Sequence, residues 1–323
     1  MVAWHLGDWE AARQLSAQAY DLAPNPGEFA TLKGMLAHLD GAGAWEQHTR
    51  RELMHVWDTS ELAERVFDGY LCVTEYVLWA GDPYERMASF AKRLRAQAQR
   101  AGARRGEAFA ATVLGEIELI TGGLEAACAH LADAARLSRE VGGAGSESLA
   151  RTRLGEALLQ LGDRAGARAQ LEQALELAHV SPVSQHLLFH VYAVLIQVPD
   201  DEMEALAIID RAETLFDPRW VCRFCPTGYH VAAARVCTRA GRLDRARDFL
   251  VRAERGAAAS PGGAWTAAVA EARAELLLAD GDGRAAGEAL RCAAEGYAAA
   301  GQVRSERRAR AALAQLERAR INA

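Results

Sequence analysis

The sequence lacks the features that would assign it at once to a membrane, secreted or nucleic-acid-binding protein. No apolar run approaches the roughly 20 residues that a membrane helix needs. The first residues show no basic stretch followed by an apolar one, so we expect no signal peptide. A net charge of -6 disfavours nucleic acid and anionic membranes as direct partners. Six scattered cysteines indicate reduced thiols, and hence a cytoplasmic protein.

Catalytic signatures are also scarce. The chain has no glycine-rich phosphate loop ending in lysine and serine or threonine. No Ser/His/Asp order and no carboxylate pair stands out as an active site. We therefore expect no enzyme activity and no cofactor.

The sequence does contain a regular series of turns. They recur about every 40 residues, which is typical of a stacked helical array. Most turns are followed at constant offsets by a small residue, then an aliphatic one, then a second small one. After the turn at Gly162-Asp163 these residues are Ala167, Leu171 and Ala174. The turns are Gly81-Asp82, Gly122-Gly123, Gly162-Asp163, Asp200-Asp201, Gly241-Arg242 and Gly281-Asp282.

One repeat shows how the residues specify a helix pair. Its first helix carries an apolar stripe at helical spacing, formed by Leu154, Leu158 and Leu161. Gly162 is expected to end this helix in the left-handed conformation, and Asp163 to cap the next helix. In the second helix, alanines allow close approach of the backbones, and Leu171 is expected to face Leu158.

This pattern of small and large residues resembles the tetratricopeptide repeat. The resemblance implies an all-α fold, a right-handed α-solenoid of stacked antiparallel helix pairs. We expect about seven pairs, with irregular repeats over 1–60, regular repeats over 61–302 and a capping helix over 303–323. A period of about 40 exceeds the family's 34, so the helices or the links, such as 142–145 and 260–263, must be longer.

Three segments carry a second resemblance. They are WVCRFCPTGYHVAAA at 220–234, RAGRLDRAR at 239–247 and WTAAVAEARA at 265–274. They are similar to the C-terminal helical-repeat region of large ATP-binding bacterial regulators, the MalT-like and other LuxR-type activators. In that family an ATPase module precedes the repeats, and the repeats are thought to sense an effector or partner. ATP hydrolysis and DNA binding are not carried over to these residues.

The concave groove is the strongest candidate binding site. In tetratricopeptide arrays the first helix of each pair lines this groove. Alignment on Gly115, Gly155, Ala193, Ala234 and Ala274 predicts a mixed, net acidic wall, which favours a basic or amphipathic partner. Alternatively, these residues form an ordinary solvated face. The predicted positions are Thr112, Glu116, Thr152, Glu156, His190, Val194, Val231, Arg235, Glu271 and Glu275.

These observations predict a non-catalytic helical-repeat scaffold. The resemblance favours the effector-sensing or protein-interaction region of an ATP-dependent transcriptional regulator. One alternative is a self-standing adaptor that binds a protein or peptide in its groove. Another is a small-ligand receptor, or an enzyme, with a site in the concavity. Homo-oligomers are compatible with each of these hypotheses.

Two short motifs are weak candidates for metal binding. Cys222 and Cys225 form a Cys-x-x-Cys, but no second pair of ligands follows at matching spacing. His186 and His190 lie one helical turn apart and have no evident third ligand. Burial of the cysteines, with Cys237 on the core face of its helix, is the favoured interpretation.

We accordingly predict that the purified protein contains no stoichiometric zinc, because Cys222 and Cys225 lack a second pair of ligands. Elemental analysis of protein prepared without chelator tests this. One zinc per chain that disappears in Cys225→Ser would show the prediction to be wrong.

Overall fold

A computed structural model describes residues 9–22, 78–79, 84–181, 183–217, 225–258 and 262–321. These residues form helices and short links, and none of them lies in a β-strand. None of the described helices is long and apolar enough to cross a membrane. The helices are α1 Trp9–Leu22, α2 Tyr84–Ala101, α3 Arg104–Thr121, α4 Leu124–Glu140, α5 Ala144–Leu161, α6 Arg164–Val180, α7 Ser184–Leu195, α8 Glu202–Leu215, α9 Thr227–Arg239, α10 Leu243–Ala257, α11 Ala264–Ala279, α12 Gly283–Ala299 and α13 Val303–Ile321.

From α2 onward, helices that are neighbours in sequence pack against each other. The first helices of successive pairs also contact one another in the order α3, α5, α7, α9 and α11, and so form an inner layer. Their partners α4, α6, α8, α10 and α12 form an outer layer. The predicted all-α solenoid of stacked helix pairs is therefore confirmed. Most of the predicted irregular repeats over 1–60, including Trp4, Trp45 and Trp57, lie outside the described residues.

Long helices account for the period of 40 residues. Helices α3 and α4 contain 18 and 17 residues. They are joined by the two residues Gly122 and Gly123, and only residues 141–143 separate α4 from α5. The link predicted at 142–145 is thus shorter than expected, because Ala144 and Gly145 already belong to α5. Part of the second predicted link, residues 260 and 261, lies outside the described residues.

The turn between α5 and α6 follows the sequence prediction. Gly162 ends α5 with a left-handed φ of 91°. The Asp163 carboxylate accepts a hydrogen bond from the backbone N–H of Gly166 at 2.8 Å and so caps α6. Asp282 caps α12 in the same way, through the N–H of Ala285 at 2.9 Å.

Contact between a leucine and a glycine holds each of the first two pairs together. A Cβ added to Gly155 would lie 2.9 Å from Cγ of Leu171, and one added to Gly115 would lie 2.5 Å from Cγ of Leu131. Both leucines are fully buried. The expectation that Leu158 faces Leu171 needs adjustment, because the Gly155 backbone lies directly against Leu171, and Leu158 is only partly buried.

Aromatic side chains fill the core farther along the array. The rings of Phe189 and Phe216 stack with centroids 4.1 Å apart, and Tyr229 meets Phe216 edge-on at 4.9 Å. Phe249 closes the group by edge contact with Tyr229. Phe189, Tyr229 and Phe249 are buried, so this cluster joins four successive helices, α7 to α10.

The outer layer is connected largely by ion pairs. Arg95 of α2 pairs with Asp133 of α4, and Arg168 of α6 pairs with Glu204 of α8 at 2.9 Å. Arg252 of α10 reaches Glu213 of α8 at 3.0 Å. A cleft of about 590 Å³ opens between α8 and the start of α10, lined in part by Leu206 and Leu243.

Within the described part of the array from residue 78 onward, early and late helices contact each other. Trp79 stacks on Trp265, at the start of α11, with ring centroids 3.9 Å apart. The amide of Gln302 donates to the hydroxyl of Tyr84 at 3.1 Å, although the two are 218 residues apart in sequence. Arg304 donates to the carbonyl oxygen of Gln160 at 3.2 Å. We call these three contacts the seam; they join the region around α2 and the end of α5 to the start of α11 and the start of α13.

We predict that Leu171→Ala lowers the free energy of unfolding by about 2–5 kcal/mol, because truncation of a buried leucine leaves a cavity. Gly155→Ala should also destabilise, since its methyl group would collide with Leu171. In the double variant that methyl group enters the cavity, so the loss should be smaller than the sum of the two single losses. Urea unfolding of the four proteins measures this coupling. Additive losses would mean that the two residues are not in contact.

Candidate functional site

Charged side chains from successive first helices form a row on the inner layer. Six of the predicted groove residues are joined there by Arg153 and Arg308, and we call this set the inner row. Its members are Glu116 on α3, Arg153 and Glu156 on α5, His190 on α7, Arg235 on α9, Glu271 and Glu275 on α11, and Arg308 on α13.

Four other predicted positions do not reach solvent. Thr112 and Thr152 are buried, and their hydroxyls donate to the carbonyl oxygens of Ala108 and Ser148 four residues earlier. Val194 and Val231 are buried as well. The structure therefore corrects the prediction from the repeat alignment: these residues lie in helix packing and not on an accessible groove surface, because the inner helices are closely surrounded.

Arg153 organises the first half of the inner row. Its Nε donates to Oε1 of Glu116 at 2.9 Å, and its Nη1 donates to Oε2 of Glu156 at 3.0 Å. Nδ1 of His190 lies 3.4 Å from Nη2 of the same guanidinium. One arginine therefore connects α3, α5 and α7. Glu116 is buried, whereas Glu156 keeps 29% of its side-chain surface exposed.

Glu271 organises the second half. Its carboxylate accepts two hydrogen bonds from Arg308, at 2.6 and 2.7 Å, and one from the hydroxyl of Tyr297 at 2.8 Å. Arg235 pairs with Glu275 at 2.6 Å beside it. Glu271 is buried, while Arg235 and Glu275 are 26% and 29% exposed.

Electrostatics in this half favour the charged forms. Burial acts to raise the pKa of Glu271, but the hydrogen bonds from Arg308 and the charge of Arg235 outweigh it and hold that pKa below its usual range. Burial also acts to lower the pKa of Arg235, and the charges of Glu275 and Glu271 reverse this effect. Burial raises the pKa of Tyr297, which therefore stays protonated and donates to Glu271.

The predicted acidic wall is largely neutralised. Sequence alignment counted four glutamates against Arg235 and one histidine, whereas Arg153 and Arg308 supply two more positive charges to the same row. Each lies 37 residues from the glutamate that it contacts. That separation is one repeat less one helical turn, a spacing at which opposite charges could have been sought in the sequence.

The candidate metal ligands have other partners. Cys225 is buried with its Sγ 3.0 Å from Nδ1 of His186, whereas His190 contacts Arg153. Cys237 is buried in the core as predicted, and burial raises the pKa of its thiol to about 11. Cys222 lies outside the described residues. Among the described residues, no three histidine, cysteine or acidic side chains are grouped as metal ligands.

Comparison with known proteins identifies the fold and no family. No protein-family model matches the sequence, and no curated protein matches it. Among solved structures, it is similar to a Rap protein complexed with competence and sporulation factor. The two share 13% sequence identity, with a TM-score of 0.51, over 98% of this chain and 95% of the Rap chain. This likeness establishes a common helical architecture. The resemblance to MalT-like regulators stays a prediction.

We predict that Glu271→Gln lowers the free energy of unfolding at pH 7 by about 1.5–3 kcal/mol, because it removes hydrogen bonds to a charged partner. The folded-state pKa of Glu271 is depressed. Its contribution is therefore present above the unfolded pKa of about 4.3 and is lost as the pH falls through the folded value. The difference in unfolding free energy between the wild-type protein and Glu271→Gln should therefore narrow as the pH falls.

Urea unfolding from pH 7 to pH 3 measures this difference. The control is Glu254→Gln, since Glu254 is 40% exposed in its pair with Arg273. It should change stability by less than about 1 kcal/mol at any pH. A Glu271→Gln difference that does not vary with pH would contradict the prediction.

Proposed function

We propose that this chain is a non-catalytic helical-repeat scaffold that binds a protein or peptide segment along its inner row. The observation that carries the proposal is the partial exposure of charged side chains on successive first helices. Glu156, Arg235 and Glu275 are each between one quarter and one third exposed. Their own partners hold them in fixed positions, so a ligand would meet a preorganised surface.

The charge pattern indicates what kind of segment would fit. Glutamates and arginines alternate along the row, and Arg308 at its end is 46% exposed. A segment that carries both acidic and basic groups would match this pattern better than a uniformly basic one. The likeness to the Rap protein supports the proposal, because that protein, with the same architecture, was solved in complex with competence and sporulation factor.

The wider context is proposed from the sequence resemblance. The segments around Trp220 and Trp265 resemble the repeat region of ATP-dependent transcriptional regulators, so effector sensing within such a regulator is our preferred setting. A self-standing adaptor would use the same surface. A small-ligand receptor is the remaining alternative, and it would place its ligand in the same concavity.

Peptide selection against the wild-type protein tests the proposal. Peptides selected from a random display library should lose about tenfold or more in affinity for Glu156→Gln/Glu275→Gln, because each change removes a charged hydrogen-bonding group. Titration calorimetry with the selected peptides measures the loss.

The matched control is Glu172→Gln/Glu288→Gln. Both glutamates are exposed on the outer helices α6 and α12, and the net charge changes by the same amount. This variant should bind the peptides with affinity within about twofold of wild type, because the two exposed glutamates lie away from the proposed interface. Equal losses in the two variants would place the binding surface away from the inner row.

A further inference from the structure

Helix α13 combines limited apolar burial with charged contacts to its neighbours. Among its side chains that the structure describes, only Ala309 is buried, whereas α12 buries Leu290, Tyr297 and several small residues. The α13 sequence contains six arginines and two glutamates. Its Leu313 and Leu316 are half-buried against two glycines of α12, at ordinary contact distance. The helix therefore gains less from apolar burial than α12 does.

The surface beneath α13 has a matching negative character, and we call it the α13 seat. Glu271 accepts the two hydrogen bonds from Arg308. Arg304 lies over the C-terminal ends of α3 and α5, where it packs beside Gly122 and donates to the carbonyl oxygen of Gln160. Helix C-termini carry a partial negative charge. The seat thus offers a carboxylate, two helix ends and a shallow glycine-lined groove.

We propose that the α13 seat is an exchange site. In the isolated protein α13 occupies it, and an arginine-bearing amphipathic helix of a partner protein displaces α13 and takes its place. Two arginines one helical turn apart, in the spacing of Arg304 and Arg308, are the recognition element. This proposal concerns a different ligand from the inner-row segment. The two sites share Glu271 and Arg308. However, the peptide test of the inner row uses Glu156 and Glu275, so the two proposals can fail independently.

Physical considerations favour exchange at this position. Release of α13 leaves the buried Glu271 without its arginine, which is costly, and a partner arginine in the same position restores the pair. Exchange of one arginine-bearing helix for another therefore costs less than release alone. Attachment through the same chain gives α13 a high effective concentration, which keeps partners of low affinity away. Displacement would also remove the Arg304 contact from the seam.

The test uses the full chain and a labelled synthetic peptide with the sequence of residues 303–321. Wild-type protein should bind it weakly, because its own α13 competes. Arg304→Ala/Arg308→Ala should weaken the resident helix and raise the peptide's affinity by about tenfold or more. Adding Glu271→Gln to that variant should abolish the gain. A peptide with glutamine at the positions of Arg304 and Arg308 should not bind.

The matched control is Arg307→Ala/Arg310→Ala. Arg307 is exposed and Arg310 pairs with Glu306 of its own helix, so affinity should remain at the wild-type level. Circular dichroism confirms that each variant is folded. Equal affinity of the peptide for wild type and for Arg304→Ala/Arg308→Ala would overturn the proposal. Binding that survives Glu271→Gln would overturn it as well.

Hydrogen exchange on the wild-type protein gives an independent test that needs no variant. Raising salt from about 0.05 to about 0.5 M should speed exchange in α13 several-fold, because it screens the ion pairs. Exchange in α12 should stay unchanged. Equal protection of both helices at both salt concentrations would overturn the proposal. Concentration-dependent dimers that exclude the peptide would assign the seat to a second copy of the chain. That outcome would also overturn the proposal of a partner protein.

Discussion

The fold depends on the contact between a leucine on the second helix of a pair and a glycine on the first. Leu131 against Gly115 and Leu171 against Gly155 bring two backbones as close as a side chain allows. In the stack, each first helix lies against its own partner and against the first helices of the neighbouring pairs. The first helices are consequently surrounded on most sides, and their charged residues must find partners within the inner layer.

That confinement explains the chemistry of the inner row. A buried carboxylate is stable only when it is paired and hydrogen-bonded, and Glu116 and Glu271 each meet this requirement through an arginine of a neighbouring pair. Charge pairing therefore does two things here: it links successive repeats, and it holds Glu156, Arg235 and Glu275 in fixed positions at the accessible part of the row.

Local features were predictable from the sequence, and non-local ones were not. The Gly162 turn, the Asp163 cap and the buried Leu171 depend on residues within one pair, so spacing alone indicates them. The partners Arg153 and Arg308 depend on the offset between repeats, which the alignment on small residues did not examine. The seam joins residues 144 to 218 positions apart, and their meeting follows from accumulated helix crossing angles, which no sequence motif encodes.

Contact between Trp79 and Trp265 changes how the array is expected to unfold. In an open solenoid each unit contacts only its two neighbours, so unfolding can begin at either end and spread unit by unit. Contacts that join distant parts of the chain remove that freedom, since fraying of the last units must also separate the aromatic pair and the Tyr84–Gln302 hydrogen bond. Because these contacts join distant parts of the chain, we expect a nominally linear array to melt more nearly as one cooperative body and to fold more slowly than an open one.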